Sequence, residues 1–327
     1  MLMRADALVV AIVAIGLIGG AGPARAYTVY VSNEKGNSIT VLDSATLEVK
    51  ETIPVGNRPR GIILTNDDKY LLICASDEDA VQVLDVNSHE LVGDLPSGPD
   101  PELLDLHPSG NPVYVANEDD NLLTAIDIND KKVLAEVEVG VEPEGVGASP
   151  DGKTVVVTSE TTNMAHFVDT ETYEITDNVL VGSRPRFAEF TADGSRLWVT
   201  SEVAGVVSVI DAKTRKIIKV IGFAVPGVQP EQIQPVGVRI TKDGTKAFVA
   251  LGPANRVAVI DAKTLEVEKY LLVGQRVWQL AFTPDEKQLF VTNGNSNDVS
   301  VIDVPSLTVV KSIPVGTAPW GVAISRQ

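Results

Sequence analysis

The chain of 327 residues is poor in the side chains that most often carry catalysis or metal binding, because it has one cysteine and three histidines. The single Cys74 excludes an internal disulfide and a C-x-x-C-H haem attachment site. His89, His107 and His166 lie too far apart in the sequence to form a zinc-type ligand pair. No G-x-S-x-G segment marks a serine nucleophile. We therefore predict neither a metal nor a cofactor.

Positive charge is also scarce, with 27 Lys and Arg residues against 44 Asp and Glu residues and a formal net charge of −17. Nucleic acids and anionic membranes attract clustered Lys and Arg, so neither is an expected partner. The acidic balance does permit attraction to a basic partner, such as a small cationic redox protein.

Long apolar runs are missing after the first 26 residues. Within those residues, Arg4 precedes the uncharged apolar run 7–18, and Ala24-Arg25-Ala26 forms an A-x-A cleavage pattern. This is the anatomy of a secretory signal, so we predict that residues 1–26 are a signal peptide cleaved after Ala26. An uncleaved anchor helix is the alternative, although the run is shorter than the roughly 20 apolar residues of a membrane span. The mature chain, residues 27–327, is expected in the periplasm without membrane insertion.

What the sequence has in abundance is repetition. Two apolar residues followed by Asp recur about every 42 residues, and a Gly-x-x-Pro element keeps phase with them. The aspartates are Asp43, Asp85, Asp127, Asp169, Asp211, Asp261 and Asp303. The interval between Asp211 and Asp261 is longer than the others, and the excess lies between Ile221 and Pro235. That excess is either a recognition loop or a spacer.

Each repeat is predicted to contain four short strands, as in the second unit, where the apolar runs are 60–64, 70–74, 80–85 and 90–95. A unit of this length with four strands is typical of a propeller blade. The mature N-terminus begins with a second strand at Thr28, and a first strand, 320–325, follows the last Gly-x-x-Pro. We therefore predict an all-β, seven-bladed β-propeller of four antiparallel strands per blade. Its last blade is expected to close by exchange between the N- and C-terminal strands, and no helix is expected outside the signal.

The second strands carry a family resemblance. Val29-Tyr30-Val31-Ser32-Asn33, Val113-Tyr114-Val115-Ala116-Asn117 and Phe290-Val291-Thr292-Asn293 resemble the motif of the YVTN-type β-propeller repeats. The segments 159–166 and 252–257 are similar to those of periplasmic propellers associated with PQQ-dependent alcohol catabolism. The resemblance implies a place beside a PQQ-dependent dehydrogenase, a periplasmic cytochrome or a transport component. It does not imply a reaction.

The candidate site lies where the Gly-x-x-Pro loops enter the innermost strands. Residues on either side of the proline position, and a glutamate after the second strand, differ from blade to blade in charge and aromaticity. They are Arg58, Arg60, Glu102, Glu144, Arg184, Arg186, Arg276, Trp278 and Trp320, with Glu118, Glu160 and Glu202. We interpret them as a rim that carries both positive and negative charges beside an aromatic wall, and that binds a ligand or a partner's loop. Alternatively, the arginines pair with neighbouring acids and fix the loops.

A further equivalent position holds Asn37, Asp79, Asn121, Asn163, Asn255 and Asn297, which we expect to be turn formers. The leading functional hypothesis is a non-catalytic binding or scaffold propeller. One alternative is a lactonase-like hydrolase that uses Glu102 and Glu144, and another is a cell-surface adhesion propeller.

Overall fold

The computed structural model describes residues 26–326, which form seven four-stranded antiparallel sheets. The signal prediction for residues 1–26 lies outside this range apart from Ala26. From the innermost to the outermost strand, blade 1 contains β28 (Pro319–Ile324), β1 (Thr28–Asn33), β2 (Ser38–Asp43) and β3 (Glu48–Pro54). Blade 2 contains β4 (Pro59–Leu64), β5 (Tyr70–Ala75), β6 (Ala80–Asp85) and β7 (Leu91–Pro96). Blade 3 contains β8 (Pro101–Leu106), β9 (Val113–Asn117), β10 (Leu122–Asp127) and β11 (Lys132–Glu138).

The remaining four blades follow the same order. Blade 4 contains β12 (Pro143–Ala148), β13 (Thr154–Ser159), β14 (Met164–Asp169) and β15 (Ile175–Leu180). Blade 5 contains β16 (Pro185–Phe190), β17 (Arg196–Ser201), β18 (Val206–Asp211) and β19 (Lys216–Gly222). Blade 6 contains β20 (Val238–Ile240), β21 (Lys246–Ala250), β22 (Arg256–Asp261) and β23 (Glu266–Leu272). Blade 7 contains β24 (Val277–Phe282), β25 (Gln288–Asn293), β26 (Asp298–Asp303) and β27 (Thr308–Pro314). The predicted seven-bladed propeller is therefore confirmed.

Closure of the ring is also confirmed, because β28 supplies the innermost strand of blade 1. It pairs antiparallel with β1, with Val29 opposite Ile324 and Tyr30 opposite Ala323. Two three-residue 3₁₀ turns, Ser76–Glu78 and Pro230–Gln232, depart from the expectation of no helix. No helix within residues 26–326 has the length and apolar character needed to cross a membrane.

The core consists of apolar layers between neighbouring blades. Tyr30 and Ile39 of blade 1, for example, pack with Leu71, Ile73 and Leu84 of blade 2. The middle strands are buried on both faces, whereas the outermost strand β3 buries only Ile53. Apolar runs in the sequence are therefore continuous in the middle strands and sparse in the outer ones.

The repeated aspartates close the hairpin between the third and fourth strands of each blade. Asp43 Oδ1 accepts hydrogen bonds from the backbone N–H groups of Ala45 and Thr46, both at 2.8 Å. The same bonds recur at Asp85, Asp127, Asp169 and Asp261. These backbone bonds stabilise the carboxylate and lower the pKa of Asp43. The aspartate is periodic because every blade needs the same turn.

The extra residues before β20 form a largely exposed segment that two buried side chains anchor to the core. Val225 and Ile233 are buried in an apolar cluster that also contains Ile221 and Leu251. The segment also brings Gln234 to the channel, where its Oε1 accepts a hydrogen bond from Arg276 Nη1 at 2.6 Å. Through Gln234, the insertion therefore helps to position Arg276, one of the predicted rim residues.

Removing β28 tests the closure. A chain ending at Thr317 would leave Val29, Tyr30 and Val31 without their inner neighbour, although all three are now almost fully buried. We expect this variant to lose cooperative urea unfolding, because blade 1 keeps only three strands. A circular permutant whose new termini lie between Val55 and Asn57 retains all seven inner strands and should unfold like the intact chain. A truncated chain that unfolds at the same urea concentration as the intact one would contradict closure by β28.

Candidate functional site

The Gly-x-x-Pro loops lie at one end of the central channel, here called the upper face. The residue before each proline position has a left-handed backbone, with φ of 53° at Arg58 and 56° at Arg184. The predicted turn formers hold these loops, since Asn163 Oδ1 accepts a hydrogen bond from Arg184 N at 3.0 Å. Equivalent bonds come from Asn37, Asp79, Asn121, Asn255 and Asn297. Each of these turn-forming side chains therefore fixes the Gly-x-x-Pro loop of the next blade.

One cluster of charges forms around Glu102, the second residue of β8. Arg58 Nη2 lies 3.1 Å from Glu102 Oε1, and Arg60 Nη1 donates to Glu102 Oε2. Arg58 also contacts Asp100 at 2.7 Å, and Arg60 Nε contacts Glu34 at 3.2 Å. Both arginines are therefore fully engaged by acids of blades 1 to 3.

A second cluster forms around Arg186 on β16. Its guanidinium lies 2.8 Å from Glu144 Oε1, donates to Glu160 Oε1, and has Glu202 at 3.7 Å. Arg184 Nε bridges Glu160 at 2.8 Å and Glu202 at 3.3 Å. The two clusters are built alike, each with one buried arginine at a strand start and one more exposed arginine before the proline position.

The two tryptophans complete the ring of side chains at the strand starts. The Trp278 and Trp320 rings lie 6.2 Å apart, centroid to centroid. Arg276 lies 4.2 Å above the Trp278 ring and contacts Glu202 at 2.8 Å, while Arg60 lies 5.2 Å from the Trp320 ring. Cation–π contact therefore joins the aromatic wall to both charge clusters.

Together Arg60, Glu102, Glu144, Arg186, Trp278 and Trp320 form what we call the ionic layer. Apart from Trp278 and Arg60, these residues are almost completely buried from solvent, with Glu102 at 0% exposure and Glu144 at 1%. Burial raises the pKa of Glu102 well above its usual value, and repulsion from Glu144 adds to this effect. Burial also raises the pKa of Glu144 to about 7, against the opposing influence of Arg186. The two carboxyl groups are sealed inside the protein rather than open to a substrate.

Glu118 differs from the other rim acids because no described cation pairs with it. Its carboxylate lies among other acids, and it raises the pKa of both Glu102 and Glu160 by repulsion. Two overlapping groups of carboxylates, Asp100 with Glu102 and Glu118, and Glu118 with Glu142 and Glu160, have the spacing to hold a metal ion. The sequence prediction considered only histidine and cysteine ligands and did not identify these groups.

The predicted rim residues therefore meet at one end of the channel, but in two different settings. Arg60, Glu102, Glu144, Glu160, Arg186, Glu202 and Trp320 lie in the interior, whereas Arg58, Glu118, Arg184, Arg276 and Trp278 reach solvent. The three histidines are bonded elsewhere and do not converge. His166, for instance, accepts a hydrogen bond from Gly140 N at 3.0 Å.

A second group of charges, not predicted from the sequence, lies three residues further along the inner strands. Asp105, Glu189 and Arg239 line a cavity of about 570 Å³ that opens at the opposite, lower face of the channel. Leu103, Phe187 and Gln279 line this cavity together with Trp320 of the ionic layer. Leu103, Phe187 and Trp320 belong to one apolar cluster. A comparison of equivalent inner-strand positions beyond the first residue would have revealed them.

The comparisons with known proteins agree with this architecture. A family model described as "Lactonase, 7-bladed beta-propeller" matches residues 24–95, and one described as "Choice-of-anchor I domain" matches residues 121–283. No curated protein matches the chain in sequence.

Among solved structures, hydrazine synthase of Kuenenia stuttgartiensis has 22% identity and a TM-score of 0.76, covering 84% of this chain and 92% of that one. A putative 6-phosphogluconolactonase from Bacteroides fragilis has 19% identity and a TM-score of 0.77, covering 92% of this chain and 98% of that one. The dihydro-heme d1 dehydrogenase NirN has 17% identity and a TM-score of 0.67, covering 90% of this chain and 74% of that one. These likenesses show the propeller fold.

The buried arginine of the second cluster should matter more than its exposed neighbour. Arg186→Met leaves Glu144 and Glu160 without a buried counter-charge, so we expect the free energy of unfolding to fall by about 3 to 5 kcal/mol. The matched Arg184→Met, at a side chain that is 49% exposed, should cost less than about 1 kcal/mol. Urea unfolding measures both, and equal losses would show that burial of the pair has no effect.

The raised pKa of Glu144 makes stability depend on pH. Its folded-state pKa of about 7 lies above the ordinary value of 4.5 for a glutamate, so the folded state binds the proton more tightly. Its contribution is complete below about pH 4.5 and is lost as the pH rises through about 7, by roughly 3 kcal/mol.

Glu144→Gln removes this titration. The difference in unfolding free energy between the wild type and this variant should therefore fall between pH 4.5 and pH 8. A difference that stays constant with pH would show that Glu144 is already ionised in the folded protein at pH 5.

Proposed function

We propose that the protein is a non-catalytic binding propeller whose upper face docks a basic segment of a partner protein. The docking surface consists of Asp100, Glu118, Asp119 and Glu142, here called the acidic arc. The observation that carries the proposal is that Glu118, Asp119 and Glu142 reach solvent with no described Lys, Arg or His at ion-pair distance. The upper-face arginines pair with other acids, and within the arc only Asp100 has such a partner, Arg58 at 2.7 Å.

Charge complementarity determines the kind of partner. Clustered carboxylates without counter-charges repel one another, and Lys or Arg side chains of a partner relieve that repulsion on docking. The net charge of −17 extends the attraction over the surrounding surface. Because the contacts are exposed, the attraction should weaken as salt is added.

The cellular setting is part of the same proposal. The predicted signal at residues 1–26 supports export to the periplasm, and the YVTN-type segments support a role beside PQQ-dependent alcohol oxidation. The expected partner is then a PQQ-dependent dehydrogenase, a periplasmic cytochrome or a transport component. A cytochrome with a basic surface suits the acidic arc best.

A lactonase-like hydrolase is the second candidate, because a lactonase family model matches residues 24–95 and a putative 6-phosphogluconolactonase shares the fold. Its proposed acids, Glu102 and Glu144, have 0% and 1% exposure and are held by Arg60 and Arg186. A substrate would have to displace these ion pairs before it touched either carboxyl group. The geometry therefore favours binding over hydrolysis by these acids.

Charge reversal on the acidic arc tests the docking. The double variant Glu118→Lys, Asp119→Lys should reduce capture of the partner from periplasmic extract at least about tenfold at low salt. The control Glu136→Lys, Glu138→Lys makes the same change in charge on the exposed outer strand β11 and should leave capture unchanged.

Quantitative mass spectrometry of the captured proteins supplies the measurement. Equal capture by both double variants, or no enriched dehydrogenase, cytochrome or transport component, would refute the proposal. Lactone turnover that is present in the wild type and absent in Glu102→Gln would establish the second candidate instead.

A further inference from the structure

The lower half of the channel is a cavity whose wall combines apolar and polar surface in similar amounts. Its volume is about 570 Å³, and Phe190, Phe282 and Ile324 are among the residues that line it. Cavities of this size with a few convergent polar groups are typical of small-molecule sites. The wall suits an organic molecule with an apolar body.

Three charged side chains lie at one level of the wall, on three different blades. Arg239 Nη1 contacts Glu189 Oε2 at 3.0 Å, and its guanidinium lies 4.7 Å above the Phe187 ring. Asp105 accepts hydrogen bonds from Leu106 N and Ala148 N, both at 2.8 Å. The glutamate and arginine side chains are about a quarter exposed, so solvent in the cavity reaches them.

This level has two carboxylates and one guanidinium, so it lacks a positive charge. Neither of the other two cations that line the cavity, Arg326 and Lys242, forms an ion pair with Asp105 or Glu189. Arg326 binds Asp68 and the Thr65 carbonyl, and Lys242 Nζ donates to the carbonyl of Pro284 in the cavity wall. Burial raises the pKa of Asp105 and raises the pKa of Glu189 to about 7, and repulsion from Asp105 adds to the shift at Glu189. A cation in the cavity would complete the balance.

The part of the cavity wall formed by Gln279 and Trp320 offers unused hydrogen-bonding groups. Gln279 is 3% exposed, and neither its amide nitrogen nor its amide oxygen has a hydrogen-bond partner among the described residues. The Trp320 indole nitrogen, fully buried, likewise has none. Both residues line the cavity. Buried polar groups normally have partners, so these atoms indicate a polar group of a ligand at this part of the wall.

We propose that the lower channel binds a small organic amine that has an apolar body and a hydrogen-bonding oxygen. Its ammonium group pairs with Asp105 and Glu189, its body contacts Phe190 and Phe282, and its oxygen reaches Gln279 and Trp320. This site is separate from the acidic arc, because none of the residues of the arc lines the cavity. The proposal therefore does not depend on partner docking.

Calorimetric titration with tyramine tests the charge requirement, with 4-hydroxyphenylpropionate as a probe of similar shape and opposite charge. We expect tyramine to bind at least about tenfold more tightly than the carboxylate. Binding should also change the tryptophan fluorescence, because Trp320 lines the cavity. Tighter binding of the carboxylate, or no binding of tyramine at millimolar concentration, would overturn the proposal.

Substitution of the acids locates the site. Asp105→Asn and Glu189→Gln should each weaken tyramine binding about tenfold or more, since a charge-assisted hydrogen bond is lost. Glu136→Gln removes the same charge from outer strand β11 and serves as the control. Circular dichroism checks that each variant folds. If Asp105→Asn unfolds because the hydrogen bonds from Leu106 N and Ala148 N are lost, the affinity of Glu189→Gln alone tests the proposal. Unchanged affinity in Glu189→Gln would overturn the proposal.

Discussion

Packing of each blade against both of its neighbours is the constraint on which the rest of the structure depends. A single four-stranded sheet cannot bury Tyr30, Ile39, Leu71 and Ile73, but adjacent blades bury them together. The ring must close for every blade to gain two neighbours, and β28 provides that closure by completing blade 1 from the far end of the chain. The channel residues owe their positions to this closure, because it brings seven inner strands to a common axis.

The fold could be predicted almost completely, because its main signals are local and periodic. Asp43 and its equivalents recur since each blade needs the same backbone-capping turn, and the position of Asn163 recurs since each loop needs the same support. The shortened β20 was less predictable. There the inserted segment buries Val225 and Ile233, which depends on packing that no local pattern encodes.

The candidate site was predictable in position but not in exposure. Periodicity showed that Arg60, Glu102 and Arg186 share one end of the channel, yet it could not show which arginine covers which acid. Burial of Glu102 depends on Arg58 and Arg60 from the preceding blade, about 42 residues away in the chain. Asp105, Glu189 and Arg239 were not predicted because each interrupts an apolar strand singly, so their convergence emerges only when the same position is compared across all the inner strands.

The two ends of the channel place the same kinds of side chain in different surroundings, and this difference determines what each end can do. At the upper end, arginines and acids neutralise one another inside the ionic layer, so only the unpaired carboxylates around Glu118 are left to meet a partner. At the lower end, Arg239 pairs with Glu189 while Asp105 has no described cation at ion-pair distance, and the amine proposed for the open cavity would supply a second positive charge. Because none of the residues of the acidic arc lines the cavity, a macromolecule and a small ligand could be bound at the same time at the two ends.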